Sequence, residues 1–335
     1  MRAVVYTAPG ASPELRDVPP PSCPPGGAIV DVRATGVCRS DWHAWRGHDP
    51  VPLPHIPGHE FAGVVSAVGP SVRGFAVGDR VTSPFVNGCG RCPWCLSGDA
   101  QVCPSQTQPG FTHAGSFAEQ VVVHAADTNL VRLPSTLDFV PAAALGCRFA
   151  TAFRALTAHA RLSAGERVAI FGCGGVGLSA VMIAAERGAE VIAVDPSRAA
   201  RTLALAVGAT VAVESGASAA SDVHVAVDAV GSAASADASV RSLRRRGRHV
   251  QIGLMLGANA RAPLPWDLVV AHELRIFGSH GMPARDYPPM LEMVADGRLD
   301  PAALVGAVIG LPGAGRALMA MDDPAPSTGI VVIKP

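Results

Sequence analysis

The segment "ERVAIFGCGGVGLSAVMIAAERGAEVIAVD" constrains the fold of this chain more than any other feature. Its apolar run at 166–172 predicts a strand, and a glycine-rich turn joins that strand to a predicted amphipathic helix and a second strand, "EVIAVD". In the turn, Gly172, Gly174 and Gly177 form the pattern G-x-G-x-x-G. Glycine there lets the backbone approach a pyrophosphate at a helix N-terminus. The pattern alone is weak evidence, but its place between a strand and a helix predicts a dinucleotide site.

An acidic residue, Asp195, ends the second predicted strand, eighteen residues after Gly177. A carboxylate at this distance accepts hydrogen bonds from the adenosine ribose and repels a 2′-phosphate, so we expect NAD rather than NADP. Arg198 and Arg201 lie close by in sequence and weaken that preference. The residues expected to bind the cofactor are Gly172, Gly174, Gly175, Val176, Gly177, Asp195, Arg198 and, after a later strand, Ile252, Gly253 and Leu254.

Two further runs, "VHVAVDAV" and "GRHVQIGL", also read as strands, with helix-like segments between them. Strands that alternate with helices predict a parallel, doubly wound sheet of the α/β class. The basic run "RSLRRRGRH" is interpreted as the end of a helix capped by Gly247, with cations at its negative pole. We therefore expect no nucleic-acid partner.

Half of the eight cysteines lie within sixteen residues, "GCGRCPWCLSGDAQVC". They are Cys89, Cys92, Cys95 and Cys103. Four thiolates on a short loop with glycine and proline turns favour a structural zinc site, with a disulfide pair or an iron–sulfur cluster as the alternatives. A closed site of four thiolates leaves no open coordination position, so this cluster is expected to brace a loop rather than perform chemistry.

Cys38, His59 and Cys147 are a second possible set of metal donors. Two cysteines and a histidine can hold a catalytic zinc with the fourth position open. The spacing does not show that they converge, and the alternative for a lone cysteine is a small buried apolar residue. That alternative suits the remaining cysteines, Cys23 and Cys173.

The motifs "GVCRSDWH", "GHEFAGVVSAVG", "GDRV", the four-cysteine loop and the glycine turn occur in this order along nearly the whole chain. In this the chain resembles the zinc-dependent medium-chain alcohol dehydrogenases. The resemblance implies a Rossmann NAD-binding domain at 149–277 and a GroES-like, partly open β-barrel catalytic domain at 1–148. Residues 278–335 would return to the catalytic domain, with the active site in the cleft between the domains.

The resemblance also assigns roles to single residues. Cys38, His59 and Cys147 match the ligands of the catalytic zinc, and Glu60 matches a carboxylate that can approach it. Cys147 favours the alcohol dehydrogenase branch, since polyol dehydrogenases usually carry glutamate there. Ser40 and His43 match a proton relay that runs through the cofactor ribose, Asp41 a residue that orients a metal ligand, and Arg39 a pyrophosphate contact. The candidate pocket residues are Ser40 and Phe85, with Trp45, Phe111 and His280 as weaker ones.

Arg148 stands out because it directly follows Cys147, where we expect a small residue. It could contact the cofactor phosphates, or narrow the pocket for an anionic substrate; the sequence leaves its role open.

The resemblance implies a reversible NAD-dependent alcohol dehydrogenase with two zinc ions per chain that acts on small molecules, as a homodimer or homotetramer. The alternatives are a specialised formaldehyde, amino-alcohol or polyol dehydrogenase, a zinc-free quinone or enoyl reductase, and a non-catalytic NAD-binding protein. Lys334 is the only lysine, which excludes a Walker loop and disfavours Schiff-base chemistry. The net charge is zero and there is no long apolar run or signal segment, so we expect a cytoplasmic protein without a membrane partner.

Overall fold

Two large β-sheets and the helices around them form the protein, which is seen here as a computed structural model that describes residues 1–214, 220–323 and 329–335. The strands are β1 (Arg2–Val5), β2 (Glu14–Asp17), β3 (Ala28–Val37), β4 (Glu60–Val68), β5 (Arg80–Thr82), β6 (Gln120–Val123), β7 (Val131–Arg132), β8 (Arg167–Phe171), β9 (Glu190–Val194), β10 (Val211–Val213), β11 (Val223–Asp228), β12 (Leu243–Gln251), β13 (Arg275–Gly278), β14 (Val305–Gly310) and β15 (Ile330–Lys334).

The helices are α1 (Arg39–Trp45), α2 (Pro93–Ser97), α3 (Ala126–Asn129), α4 (Phe139–Ala143), α5 (Ala150–Arg154), α6 (Gly175–Glu186), α7 (Arg198–Ala206), α8 (Ala233–Arg241), α9 (Trp266–Ala271), α10 (Tyr287–Ala295) and α11 (Ala314–Met319). Two π-helical turns, Leu145–Phe149 and Ala155–His159, flank α5. Among the described residues, no helix combines the length and the apolar character needed to cross a membrane.

The first sheet runs in the order β10-β9-β8-β11-β12-β13, with every pair parallel. Counted from β8, this is the strand order 3-2-1-4-5-6 of the dinucleotide-binding fold. The order reverses between β8 and β11, and the loops that follow these two strands border the crevice in which such folds bind ligands. The predicted parallel α/β sheet is therefore confirmed.

The second sheet runs in the order β14-β15-β3-β4-β5-β7, with β6 paired to β3 as well. Most of its pairs are antiparallel. The last strand, β15, pairs with β3, so the C-terminal end of the chain lies in the same sheet as its N-terminal part. The strand β3 carries the chain from the centre of this sheet directly into α1.

Helix α6, which follows the glycine turn, is buried more completely than the predicted amphipathic pattern implies. Every residue from Gly177 to Ala184 is buried. The helix contacts β8 and β9 on one side and α5 with its preceding π-helical turn on the other, so it has no broad solvent face. A helix enclosed in this way is apolar all round.

The interpretation of the basic run as a helix end was wrong. Helix α8 already ends at Arg241, and β12 begins at Leu243. The side chain of Leu243 is buried and its backbone pairs with Val223, after which the register shifts before Arg248. Sheet pairing and burial of Leu243 thus outweigh continuation of the helix, and Gly247 lies inside the strand rather than at a helix cap.

Candidate active site

Four potential metal donors converge where β3, β4 and the first π-helical turn meet. Cys38 is the N-cap of α1 at the end of β3, His59 and Glu60 begin β4, and Cys147 lies in the π-helical turn Leu145–Phe149. One donor atom from each residue lies within 4.8 Å of all the others. Such π-helical turns are frequent at functional sites. The structure therefore brings together the three predicted ligands and the predicted nearby carboxylate.

The imidazole of His59 is oriented by a buried carboxylate. Its Nδ1 lies 2.9 Å from Oδ1 of Asp41, whose other oxygen accepts from the backbone N–H of Cys38 at 3.0 Å. Within the described part of the chain, the buried Nε2 of His59 has no hydrogen-bond partner. When Nδ1–H donates to a carboxylate, the lone pair of Nε2 is free to bind a metal, which is the usual arrangement of a metal-binding histidine. The donor set thus fits a zinc ion.

The side chains in the site change one another's pKa values. Burial alone would lower the pKa of His59, but the Asp41 carboxylate raises this pKa well above its ordinary value. A hydrogen bond from Cys147 lowers the pKa of Cys38 well below its ordinary value, and the same contact raises the pKa of Cys147. One of the two thiols is therefore readily available as a thiolate, which is the form that binds metals.

Glu60 and Arg148 form a buried ion pair next to the donors. The guanidinium also donates to the carbonyl of Val37 at 3.0 Å. Burial raises the pKa of Glu60, and the Arg148 charge opposes that increase. The Arg148 guanidinium is thus already paired with Glu60 and Val37. Its position matches neither role considered from the sequence, which were a contact to the cofactor phosphates and a narrowing of the pocket for an anionic substrate.

Two phenylalanine rings lie close to the imidazole of His59. The ring centroid of Phe111 is 5.2 Å from that of His59, and that of Phe85 is 6.1 Å away. His280 lies edge-on to Phe85, with centroids 5.1 Å apart. Phe85 and Phe111 thus place apolar surface beside the donors, which suits a small organic substrate.

Trp45, in contrast, is a core residue and the expectation that it lines the pocket was wrong. Its indole N–H donates to the carbonyl of Ala11 at 2.7 Å, and its buried ring packs with Tyr6 and Leu318. This packing accounts for its burial without a substrate.

The candidate relay residues lie along α1. The hydroxyl of Ser40 is 3.8 Å from the sulfur of Cys38. His43 follows nearly one turn later, partly exposed, with its Nδ1 3.1 Å from Nδ1 of His48. Burial lowers the pKa of His43, and the neighbouring His48 and Arg39 lower it further. A helix places residues three positions apart on one face, so Ser40, beside Cys38, and the partly exposed His43 share a face of α1.

Arg39 lies next to these residues at the surface. Its guanidinium stacks over Trp42, with 4.9 Å to the ring centroid, and donates to the carbonyl of Met321 at 2.6 Å. The predicted pyrophosphate contact would require this side chain to turn away from Met321.

The glycine turn has the geometry that the sequence predicts. Gly172 has a φ of +90°, which favours glycine, and Gly174 is the N-cap of α6. A Cβ on Gly177 would lie 1.7 Å from the carbonyl oxygen of Gly172, so any side chain there would clash with the turn. The N-terminus of α6 therefore begins beside the carboxyl end of β8, at a turn whose close backbone approach requires glycine.

Asp195 is bonded into this turn. Its carboxylate accepts from the backbone N–H of Cys173 at 2.7 Å and from that of Ser197 at 2.8 Å. Arg201 donates to the backbone carbonyl of Asp195 at 2.8 Å and pairs with Glu214. Arg198, at the start of α7, is exposed. The Asp195 carboxylate thus lies beside the glycine turn. The Arg201 guanidinium is bonded to the Asp195 carbonyl and to Glu214.

The segment Ile252–Leu254 lies at the carboxyl end of β12, beside the loop after β11. Gly253 approaches Gly231 so closely that a Cβ on it would lie 2.2 Å from the backbone nitrogen of Gly231. Asp228, which sequence reasoning missed, organises both loops. Its buried carboxylate accepts from the backbone N–H groups of Val230 and Gly231 and from the side chain of Gln251. An aspartate at the end of an apolar strand was the available signal.

The four-cysteine loop forms a separate cluster of donors. The sulfurs of Cys89 and Cys95 are 4.0 Å apart, those of Cys92 and Cys103 are 3.7 Å apart, and all four sulfurs lie within 4.8 Å of one another. All eight cysteines are free thiols, so the disulfide alternative is not what the structure shows. Backbone hydrogen bonding lowers the pKa of Cys89 to about 6, and burial raises that of Cys95 to about 12.

A buried amide, Asn129, fixes this loop in place, and no sequence pattern pointed to it. Asn129 accepts from the backbone N–H of Gly88 at 2.9 Å and donates to the carbonyl of the same residue at 2.8 Å. A Cβ on Gly88 would lie 2.9 Å from the sulfur of Cys95, so this glycine is required for the loop to close.

Comparison with known proteins adds to this geometry. The profile described as "Alcohol dehydrogenase GroES-like domain" matches residues 24–135, and that described as "Zinc-binding dehydrogenase" matches residues 175–296. An alcohol dehydrogenase of Geobacillus stearothermophilus is 35% identical over 297 residues, which cover 85% of this chain and 86% of the relative.

Two solved structures are similar over their whole length. The cobalt- and zinc-bound thermostable alcohol dehydrogenase from Pyrobaculum aerophilum has a TM-score of 0.89 and 31% identity, covering 100% of this chain and 99% of that one. A structure of an NAD-dependent alcohol dehydrogenase has a TM-score of 0.89 and 31% identity, covering 100% of both chains.

Proposed function

This chain belongs to the zinc-dependent medium-chain alcohol dehydrogenase family, and on that basis we propose that it transfers hydride reversibly between an alcohol and NAD, giving an aldehyde or ketone. The observation that carries the proposal is the free Nε2 of His59, aimed into a cluster with two thiols. Aromatic rings lie beside that cluster, and Arg148 packs between it and the first residue of α6. These contacts support adjacent positions for a metal, a substrate and a cofactor.

Cys38, His59 and Cys147 would hold the catalytic zinc, with Asp41 fixing the tautomer of the histidine. When bound, a zinc ion at this place supplies a Lewis acid that makes the alcohol hydroxyl more acidic. Phe85 and Phe111, whose rings lie beside His59, would limit the access of water to the same volume. An apolar enclosure strengthens electrostatic effects on the reacting oxygen.

Ser40 and His43 would remove the proton. The Ser40 hydroxyl lies beside Cys38. It would accept the proton of the substrate hydroxyl while passing its own proton to the cofactor ribose, from which His43 would take it. His43, one turn further along α1 and partly exposed, passes a proton to solvent. Its lowered pKa keeps the imidazole neutral, and thus able to accept a proton, at a lower pH than an ordinary histidine.

Gly172, Gly174 and Gly177 would take the pyrophosphate of NAD at the N-terminus of α6, and Asp195 the adenosine ribose. The four-cysteine loop would hold a second, structural zinc. Because the loop offers four thiolates, this second ion has no open position for a substrate.

The test is the reduction of NAD⁺ with a panel of primary, secondary, aromatic and polyol alcohols, each labelled with deuterium at the carbinol carbon. We expect at least one alcohol to yield NADH that carries the deuterium, detected by mass spectrometry. A protein that binds NAD⁺ but reduces it with none of these alcohols would contradict the proposed function.

A further inference from the structure

Arg148 occupies both oxygens of the Glu60 carboxylate. Its backbone N–H donates to Oε1 at 2.9 Å, its Nε donates to the same oxygen at 3.0 Å, and its Nη2 donates to Oε2. The fourth contact, from Nη1 to the carbonyl of Val37, fixes the far side of the guanidinium. Arg148 is 6% exposed and Glu60 is fully buried. The pair is therefore a rigid, two-pronged clamp rather than a surface ion pair.

Glycines leave room for this clamp on both sides. A Cβ on Gly36 would lie 2.7 Å from Nη2 of Arg148 and 2.7 Å from Oε2 of Glu60. A Cβ on Gly175, the first residue of α6, would lie 2.6 Å from Cδ of Arg148. The arginine side chain thus fills the space between the metal donors and the cofactor helix, and it has little freedom to rotate away.

Glu60 has the chemistry and the position to be a metal ligand. One of its oxygens lies within 4.8 Å of the donor atoms of Cys38, His59 and Cys147. Carboxylate oxygens bind zinc readily, and a fourth protein ligand would close the site to substrate. A buried carboxylate without a counter-charge is strongly disfavoured, so loss of Arg148 would drive Glu60 toward the metal.

We propose that Arg148 is a positioning residue that keeps Glu60 out of the metal's coordination sphere and so keeps the fourth position open. The proposal rests on the proposed function, because it takes the cluster of Cys38, His59 and Cys147 to be an open zinc site. It also explains why a large cation follows Cys147. With two thiolates balancing the metal, the Arg148 charge balances that of Glu60.

The test uses protein loaded with Co²⁺, which replaces zinc in such sites and absorbs visible light. Imidazole is titrated as a small ligand for the open position, and its affinity is read from the cobalt spectrum. Wild type should bind imidazole saturably. Arg148→Met should bind it about ten-fold more weakly or worse, because Glu60 competes for the same position. Removing the competing carboxylate as well, in the double variant E60Q/R148M, should restore the affinity to within about three-fold of wild type.

Arg148→Lys is the second variant, in case Arg148→Met does not fold. Lysine keeps the charge but lacks the two-pronged donor geometry, so its imidazole affinity should lie between those of wild type and Arg148→Met. Wild-type affinity in both single variants would overturn the proposal. An equal loss in Arg148→Met and in the double variant would do so too, since it would show a merely structural effect. None of these readings needs turnover, so a wild type that binds imidazole normally but oxidises no alcohol would refute the proposed function alone.

Discussion

Nδ1 of His59 lies 2.9 Å from Oδ1 of Asp41, and both side chains are completely shielded from solvent. The same carboxylate accepts from the backbone N–H groups of Cys38 and Gly58 at 3.0 Å. Asp41 therefore holds two of the three predicted zinc ligands by separate contacts, one through a side chain and one through the backbone.

Replacing Asp41 with asparagine should weaken zinc binding at this site by about ten- to a hundred-fold, because the histidine loses the charged partner that fixes its tautomer. Competition with a chromophoric chelator measures the affinity. Asp49→Asn, at a carboxylate that follows the same helix, is the control and should bind zinc as wild type does. Equal zinc affinity in the Asp41 variant would show that the carboxylate does not support the metal.

Cys92→Ser should lower the thermal stability of the protein and reduce its zinc content by about one ion per chain, while Cys23→Ser should change neither. Cys92 caps α2 and its sulfur faces that of Cys103, whereas Cys23 donates to the nearby backbone carbonyls of Pro24 and Gly27. Differential scanning calorimetry with metal analysis tests both variants. A Cys92 variant with wild-type melting and full zinc content would rule out a structural site in this loop.

His43→Gln should slow alcohol oxidation by about ten-fold or more below neutral pH, with partial rescue by added buffer bases, as for a lost general base. In wild type, oxidation needs neutral His43, so activity should fall as the pH drops through its lowered pKa. An unchanged pH–rate profile in this variant would remove His43 from the reaction.

His48→Gln tests the direction in which the neighbouring His48 shifts the pKa of His43. A protonated His48 lowers the pKa of His43, so its removal should raise that pKa and move the acid limb of kcat/KM for oxidation to higher pH. The profile is measured with one alcohol across the acid range. A limb that stays in place, or moves to lower pH, would mean that His48 does not influence the titrating group.

Asp195 should make wild type prefer NAD over NADP by about two orders of magnitude or more in kcat/KM, since each charged hydrogen bond contributes about 1.5–3 kcal/mol. Asp195→Gly should narrow the preference by weakening the use of NAD and by removing the repulsion of the 2′-phosphate. Arg198 is exposed and is the better candidate to pair with the 2′-phosphate of NADP. Arg201 is already hydrogen-bonded to the backbone of Asp195 and paired with Glu214. Arg198→Ala in the Asp195→Gly background should then reduce the use of NADP. Steady-state kinetics with both cofactors decide this, and an unaltered cofactor ratio in Asp195→Gly would exclude the assigned role.

The parts of the site that could be predicted from sequence are those encoded by local spacing. The turn from Gly172 to Gly177 and the loop from Cys89 to Cys103 each place their functional groups within a few residues, so the pattern itself is the signal. Cys38, His59 and Cys147 could be named from the sequence as possible donors, but only the resemblance implied that they meet. Their convergence depends on the pairing of β3 with β4 and on the π-helical turn.

Contacts between distant segments could not be foreseen. Arg148 meets Glu60 across 88 positions of sequence, and Asn129 meets Gly88 across 41, and no local pattern encodes either contact. The basic run after α8 was misread for the same reason. The helix was predicted from neighbouring residues in the sequence. The observed strand depends on the pairing of Leu243 with the distant Val223.

The most direct test of the account compares Cys38→Ser with Cys23→Ser, measuring zinc content and NAD⁺ reduction with the best alcohol on the same samples. The account predicts that Cys38→Ser remains folded, keeps the zinc of the four-cysteine loop, loses about one zinc ion per chain and loses nearly all turnover. Cys23→Ser should retain about two zinc ions and wild-type activity. A Cys38→Ser protein that turns over alcohol at the wild-type rate would contradict the assignment of the active site.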